Sequence, residues 1–68
     1  MKRQSVFSTD IRSIGYENGV LEIEFLGGSI YTYPNVPKFH FDYMVSNPHP
    51  GTYFHQRVKP YYPYDSKR

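Results

Sequence analysis

The chain has 68 residues, the size of one small domain, and it contains no cysteine, which excludes disulfides and thiolate metal sites. No stretch approaches the roughly 20 apolar residues of a membrane-spanning helix, and the N-terminus lacks the apolar segment of a signal peptide, so we expect a cytoplasmic protein that does not bind membranes. The net charge is +2, but residues 4–66 carry four basic and six acidic side chains, which argues against a surface for duplex DNA.

We predict a single domain over residues 1–68 with flexible ends at about 1–6 and 65–68. Ser8-Thr9-Asp10 indicates a turn before the first strand. Serine and aspartate are residue types that catalysis uses, but no histidine or second carboxylate lies nearby in the sequence. A structural turn is therefore the favoured interpretation.

Three strands are predicted next, over about residues 11–17, 20–26 and 29–33. Asn18-Gly19 indicates a tight hairpin turn between the first two, because both residues tolerate positive φ. This turn places the apolar residues of both strands on one face, and the predicted pairs are Tyr16 with Leu21, Ile14 with Ile23 and Arg12 with Phe25.

The register of the second hairpin, at Gly27-Gly28, is open at this point. A two-residue loop pairs Phe25 with Ile30 and leaves Tyr31 and Tyr33 on the face of the sheet opposite the core. A three-residue loop pairs Phe25 with Tyr31 instead and turns both tyrosines into the core. We favour burial of at least one of them, because a domain this small needs the buried area.

Two short helices follow, over about 37–46 and 51–59, with Pro37 in the first turn and Pro60 ending the second. Helical spacing predicts that one face of each helix packs inward, from Val36, Phe39 or His40, Tyr43 and Met44 in the first and Tyr53, Phe54 and Val58 in the second. The predicted fold class is α+β: a three-stranded antiparallel β-meander followed by two short α-helices packed on one face.

A set of short motifs occurs in a recognisable order: Asp10-Ile11, Ile14-Gly15-Tyr16, Leu21-Glu22-Ile23-Glu24-Phe25, Gly28, Tyr31-Thr32-Tyr33, Val36-Pro37, Gly51-x-Tyr53-Phe54 and Val58. In these motifs, over roughly residues 7–64, the chain resembles the KTSC domain. That family is named for its place at the C-terminus of some lysyl-tRNA synthetases and also includes small bacterial and phage proteins. The resemblance implies a binding role, to RNA or protein, and no established activity.

The sequence departs from the family in its second half. Family members tend to have Ser-Lys-Gly before the aromatic pair, whereas this chain has His49-Pro50-Gly51. A cation that could contact phosphate is therefore missing at position 50.

Aromatic and basic side chains are the candidate binding residues, because single-stranded nucleic acid stacks its bases on such side chains. The candidates are Tyr31, Tyr33, Tyr53, Arg57, Lys59, Tyr61, Tyr62 and Tyr64. The alternative is that these tyrosines only pack the core and its rim. Glu22 and Glu24 would repel phosphate from the exposed face of the sheet.

Neither a metal site nor an active site is predicted. The spacing of His40, Asp42, His49 and His55 fits no closed zinc pattern, and no nucleophile has a base partner. We therefore expect a non-enzymatic binding module without a cofactor. Its predicted partner is a protein or a second copy of the chain, and the alternative is RNA or another single-stranded nucleic acid.

Overall fold

The fold is an antiparallel sheet with two helices on one face, which confirms the predicted α+β class. The computed structural model describes residues 3–66. The elements are β1 (Arg3–Ser5), β2 (Ile11–Glu17), β3 (Val20–Phe25), β4 (Ile30–Tyr33), α1 (Lys38–Ser46), α2 (Pro50–Arg57) and β5 (Asp65–Ser66), and the strand order across the sheet is β1-β2-β3-β4-β5.

The prediction of three strands was wrong, because the two ends of the chain extend the meander to five. In β1, Arg3 lies opposite Gly15 of β2, and in β5, Asp65 lies opposite Thr32 of β4. These strands have three and two residues, too few to show an alternating pattern in the sequence. The flexibility predicted for residues 1–6 and 65–68 stays a prediction, and residues 1–2 and 67–68 lie outside the described part.

The first hairpin turns where the sequence predicts. Asn18 and Gly19 have φ angles of 53° and 81°, the positive values that this turn requires. Tyr16 lies opposite Leu21, as predicted, and Ile14 lies opposite Ile23. The side chains that were expected to share the apolar face therefore do so.

A β-bulge changes the pairing at the far end of this hairpin. Ile11, and not Arg12, lies opposite Phe25, because the register shifts between Ile11 and Ser13. The predicted pairing of Arg12 with Phe25 was therefore wrong. The extra residue leaves Arg12 exposed while Ile11 is completely buried.

The second hairpin has neither of the two registers considered. Ile23 lies opposite Tyr31, and the amide of Phe25 donates to the Ser29 carbonyl at 2.9 Å. This register differs by two residues from the three-residue alternative, so the side chains keep the same faces. Tyr33 is 1% exposed and Tyr31 is half-buried, which confirms the favoured burial.

Both helices lie within two residues of their predicted ends, and each turns a narrow stripe inward. Val36, His40 and Met44 are buried at a spacing of four residues, so His40 and not Phe39 faces the core. The prediction that Tyr43 packs inward was wrong, since it lies beside the stripe and is 58% exposed. The buried apolar core consists of Ile11, Ile14, Leu21, Ile23, Tyr33, Val36, Met44, Phe54 and Val58.

Candidate functional site

The eight predicted binding residues do not form one surface. Tyr53 and Tyr62 flank His40 beside the helices, whereas Tyr31, Tyr33 and Tyr64 contact one another on the helix-covered side of the sheet. The other three are exposed near the end of α2 or after it: Arg57, Lys59 and Tyr61.

His40 is the centre of the first group. Its ring is almost completely buried, with Nδ1 2.9 Å from the Tyr53 hydroxyl and Nε2 3.3 Å from the Tyr62 hydroxyl. Burial lowers the pKa of His40, which favours the neutral imidazole. A neutral ring has one donor and one acceptor nitrogen, so one tyrosine hydroxyl donates to His40 and the other accepts from it.

Aromatic rings around His40 form a surface that we call the aromatic patch, defined as Phe39, Tyr43, Tyr53 and Tyr62. Phe39 is 52% exposed, and its ring lies 4.2 Å from the His40 ring. The Tyr43 ring lies 5.8 Å from that of Tyr53. The exposed rings of Phe39 and Tyr43 therefore contact His40 and Tyr53, which are hydrogen-bonded to each other.

Charge beside the aromatic patch is balanced on one side and positive on the other. Lys38 pairs with Asp42 at 3.5 Å on the exposed face of α1. Burial raises the pKa of the Tyr53 hydroxyl, and Arg57 lies close enough to oppose that rise. Arg57 is thus a cation close to the half-buried part of the patch.

The second group of tyrosines is mainly structural. The Tyr31 and Tyr64 rings are stacked at 4.7 Å, and Tyr64 also lies 5.6 Å from Tyr33. Burial raises the pKa of Tyr33 to about 12, so its hydroxyl remains protonated. Tyr33 cannot stack against a base from solvent, because its ring packs against Phe54 in the core.

Ser8, Asp10 and His55 form a cluster, although His55 is far from the other two in the sequence. Nε2 of His55 in α2 lies 2.8 Å from Oδ2 of Asp10, and the Ser8 hydroxyl donates to Oδ1 of the same carboxylate at 2.9 Å. These contacts lower the pKa of Asp10, mainly through the hydrogen bond with His55. The carboxylate lies between the hydroxyl and the imidazole, so the cluster does not have the hydroxyl-to-imidazole contact that activates a nucleophilic serine.

Gly51 explains how α2 comes so close to this cluster. A Cβ atom at Gly51 would lie 2.5 Å from Oδ1 of Asp10 and 3.0 Å from Oγ of Ser8. The glycine of the Gly51-x-Tyr53-Phe54 motif was thus the one sequence signal for this contact. A cleft of about 530 Å³ opens beside the cluster, and Phe7 at its rim is 97% exposed.

Among residues 3–66, no three histidine, aspartate or glutamate side chains come close enough together to hold a metal ion. Neither helix there is long and apolar enough to cross a membrane.

A family model and a solved structure point to the same family. The model of the KTSC domain matches residues 7–62. An uncharacterized protein of Stutzerimonas stutzeri (strain A1501) is 37% identical over 62 residues, which are 88% of this chain and 87% of that protein. The crystal structure of a KTSC domain protein from Yersinia pestis is similar, with a TM-score of 0.85 and 34% identity over 94% of this chain and 93% of the other.

Proposed function

Because the chain belongs to the KTSC domain family, we propose that it is a small non-enzymatic binding module, which contacts another protein chain through the aromatic patch. The observation that carries this proposal is the exposure of Phe39 and Tyr43, both more than half exposed, on one side of α1. A second copy of the domain is the first partner to test. We place this role in the cytoplasm.

The composition of the patch suits a protein partner. Aromatic side chains are enriched in the energetically dominant centres of protein interfaces. Tyr53 and Tyr62 are restrained by their hydrogen bonds with His40, so less side-chain freedom remains to be lost on binding. The patch therefore combines exposed apolar area with a preorganised base.

A non-enzymatic role agrees with the contacts of Ser8 and Asp10, whose residue types catalysis also uses. Ser8 donates to Asp10, and its oxygen lies 3.3 Å from the backbone amides of both Asp10 and Ile11. These are the contacts of a structural turn, in which the hydroxyl holds the backbone.

The test compares self-association of the parent chain with that of variants in the aromatic patch. Sedimentation equilibrium of the parent chain should show a concentration-dependent rise in mass, which Tyr43→Ser and Phe39→Ser should reduce. Leu26→Ser is the matched control, because Leu26 is 47% exposed and lies outside the patch. If the parent shows no self-association, the same variants are compared for capture of partner proteins on an immobilised domain. A monomer whose captured proteins do not depend on Tyr43 or Phe39 would contradict the proposal.

Single-stranded nucleic acid, RNA above all, is the second candidate. Arg57, Lys59 and Tyr61 are exposed in or shortly after α2, with Tyr61 at 71%, which provides cations beside an aromatic ring. The link of the family name to lysyl-tRNA synthetases also supports RNA. An oligonucleotide titration at low salt tests this: Arg57→Ala with Lys59→Ala should weaken binding and its salt dependence, whereas Lys38→Ala should not. Binding that is unchanged in the double variant excludes this surface.

A further inference from the structure

A groove adjoins the cleft described above and shares Asp10 and His55 with it. Its volume is about 320 Å³, and its apolar lining includes the rings of Phe25, Tyr31 and Phe54. Phe25 makes edge-on contacts with both other rings, at 5.5 Å and 5.8 Å. Pockets for small organic molecules begin at about 300 Å³, so this groove has room for one small ligand.

The hydroxyl of Tyr33 is an unpartnered polar group in this groove. The side chain is 99% buried, since its exposure is 1%, and it lines the groove. The hydroxyl makes no hydrogen bond with any described residue, yet no completely buried side-chain nitrogen or oxygen in that part of the chain lacks a partner. The hydroxyl oxygen is therefore not completely buried, and Tyr33 is one of the residues that line the groove. A protonated hydroxyl without a partner is a donor available to a ligand.

The charge of the groove favours an anion with a single charge. Lys59 is the one lysine or arginine among the described residues that line the groove, and its side chain has no ion pair within residues 3–66. The carboxylate of Asp10 is also at the groove, where it is hydrogen-bonded to His55. Its negative charge would repel a doubly charged phosphate more strongly than a carboxylate.

We propose that this groove binds a small aromatic carboxylate, whose ring packs against Phe25 and Tyr31 and whose carboxylate is held by Lys59 and the Tyr33 hydroxyl. The site is separate from the proposed protein contact, because no residue of the aromatic patch lines the groove. A donor hydroxyl and an ammonium group both suit a carboxylate, and aromatic walls select a flat apolar body.

The test is a titration of the full chain, followed by the backbone amide signals in NMR. The probe is phenylpropanoate, with phenylpropanamide as the neutral analogue and propionate as the anion without a ring. We expect saturable shifts at Ser29, Tyr31 and Lys59 with the first compound, about tenfold weaker binding of the amide, and no saturable shift with propionate. Lys59→Met should weaken the binding of phenylpropanoate about tenfold, Tyr33→Phe several-fold, and Lys38→Met not at all.

Each contrary outcome overturns the proposal in a different way. No saturable shift up to the solubility limit, in a chain whose spectrum is that of the folded parent, excludes the site. Equal affinity for the acid and the amide excludes recognition of the charge. Tighter binding of uridine monophosphate than of phenylpropanoate would assign the groove to a phosphate ligand instead. None of these results depends on whether the aromatic patch binds a protein.

Discussion

The carboxylate of Asp10 lies 2.8 Å from the imidazole of His55, although 45 positions separate the two residues in the chain. Asp10 immediately precedes β2, and His55 belongs to α2. The contact therefore joins the start of a central strand to the second helix. The pair also lies where the cleft and the groove adjoin, since both residues line both openings.

The first prediction concerns acid stability. The folded protein lowers the pKa of Asp10 from its usual value of 3.8, so the ionised form contributes stability above that pH. This contribution should be lost as the pH falls through the lowered pKa. Urea unfolding at a series of pH values should show a steeper loss for the parent than for Asp10→Asn below about pH 4.

The control for this prediction is Asp42→Asn. Asp42 is also paired, but with Lys38 on an exposed helix face, where an ion pair contributes little. Asp42→Asn should therefore keep the acid sensitivity of the parent. If Asp10→Asn keeps it as well, the Asp10–His55 contact does not stabilise the fold.

The second prediction concerns the space at Gly51. Gly51→Ala would place its Cβ 2.5 Å from Oδ1 of Asp10, and the carboxylate cannot move away without weakening its bonds to Ser8 and His55. We expect a loss of about 1–3 kcal/mol in the free energy of unfolding, measured by urea denaturation.

A double-mutant cycle gives this prediction its control. In an Asp10→Ala background the carboxylate oxygen at 2.5 Å is absent and Oγ of Ser8, at 3.0 Å, is the close oxygen that remains, so Gly51→Ala should cost clearly less than in the parent. An equal cost in both backgrounds would show that the strain does not come from the Asp10 carboxylate.

Much of the fold could be predicted because local chemistry decides it. Asn18-Gly19 determines its own turn, and Pro37 marks the start of α1 within one residue. The burial of Tyr31 and Tyr33 could also be predicted, because a small domain needs their buried area. The register of the second hairpin could not. The Gly27-Gly28 pair allows several loops, and only contacts across the sheet select one of them.

The remaining features could not be predicted because distant contacts decide them. The exposure of Tyr43 depends on how far α2 covers α1, since helical spacing alone cannot separate the edge of a stripe from its centre. The Asp10–His55 contact has no sequence pattern apart from the small residue at Gly51. The sequence has no histidine close to Ser8 and Asp10, but the fold brings His55 into contact with Asp10.

The third prediction separates backbone strain from lack of space. A Cβ at Gly19 would meet nothing within 4 Å, but the φ angle of 81° is one that L-amino acids with a side chain rarely adopt. Gly19→Ala should therefore destabilise the domain by about 1 kcal/mol or more. Gly27→Ala is the matched control, because Gly27 has equally open space and no positive φ. Thermal unfolding of the two variants should differ, and equal midpoints would contradict the strain argument.

The fourth prediction concerns His40, whose pKa is lowered from its usual value of 6.5 by burial. The unfolded chain takes up a proton at higher pH than the folded one, so stability should fall as the pH drops below about 6.5 and level off below the folded pKa. His40→Gln should remove this part of the pH dependence, which urea unfolding between about pH 7.5 and pH 5 measures.

His49→Gln is the control, since His49 is exposed and has no ring contact with the tyrosines that hold His40. The NMR titration of the His40 ring gives the same answer independently: a midpoint at or above 6.5 would show that Tyr53 and Tyr62 stabilise the imidazolium more than burial opposes it.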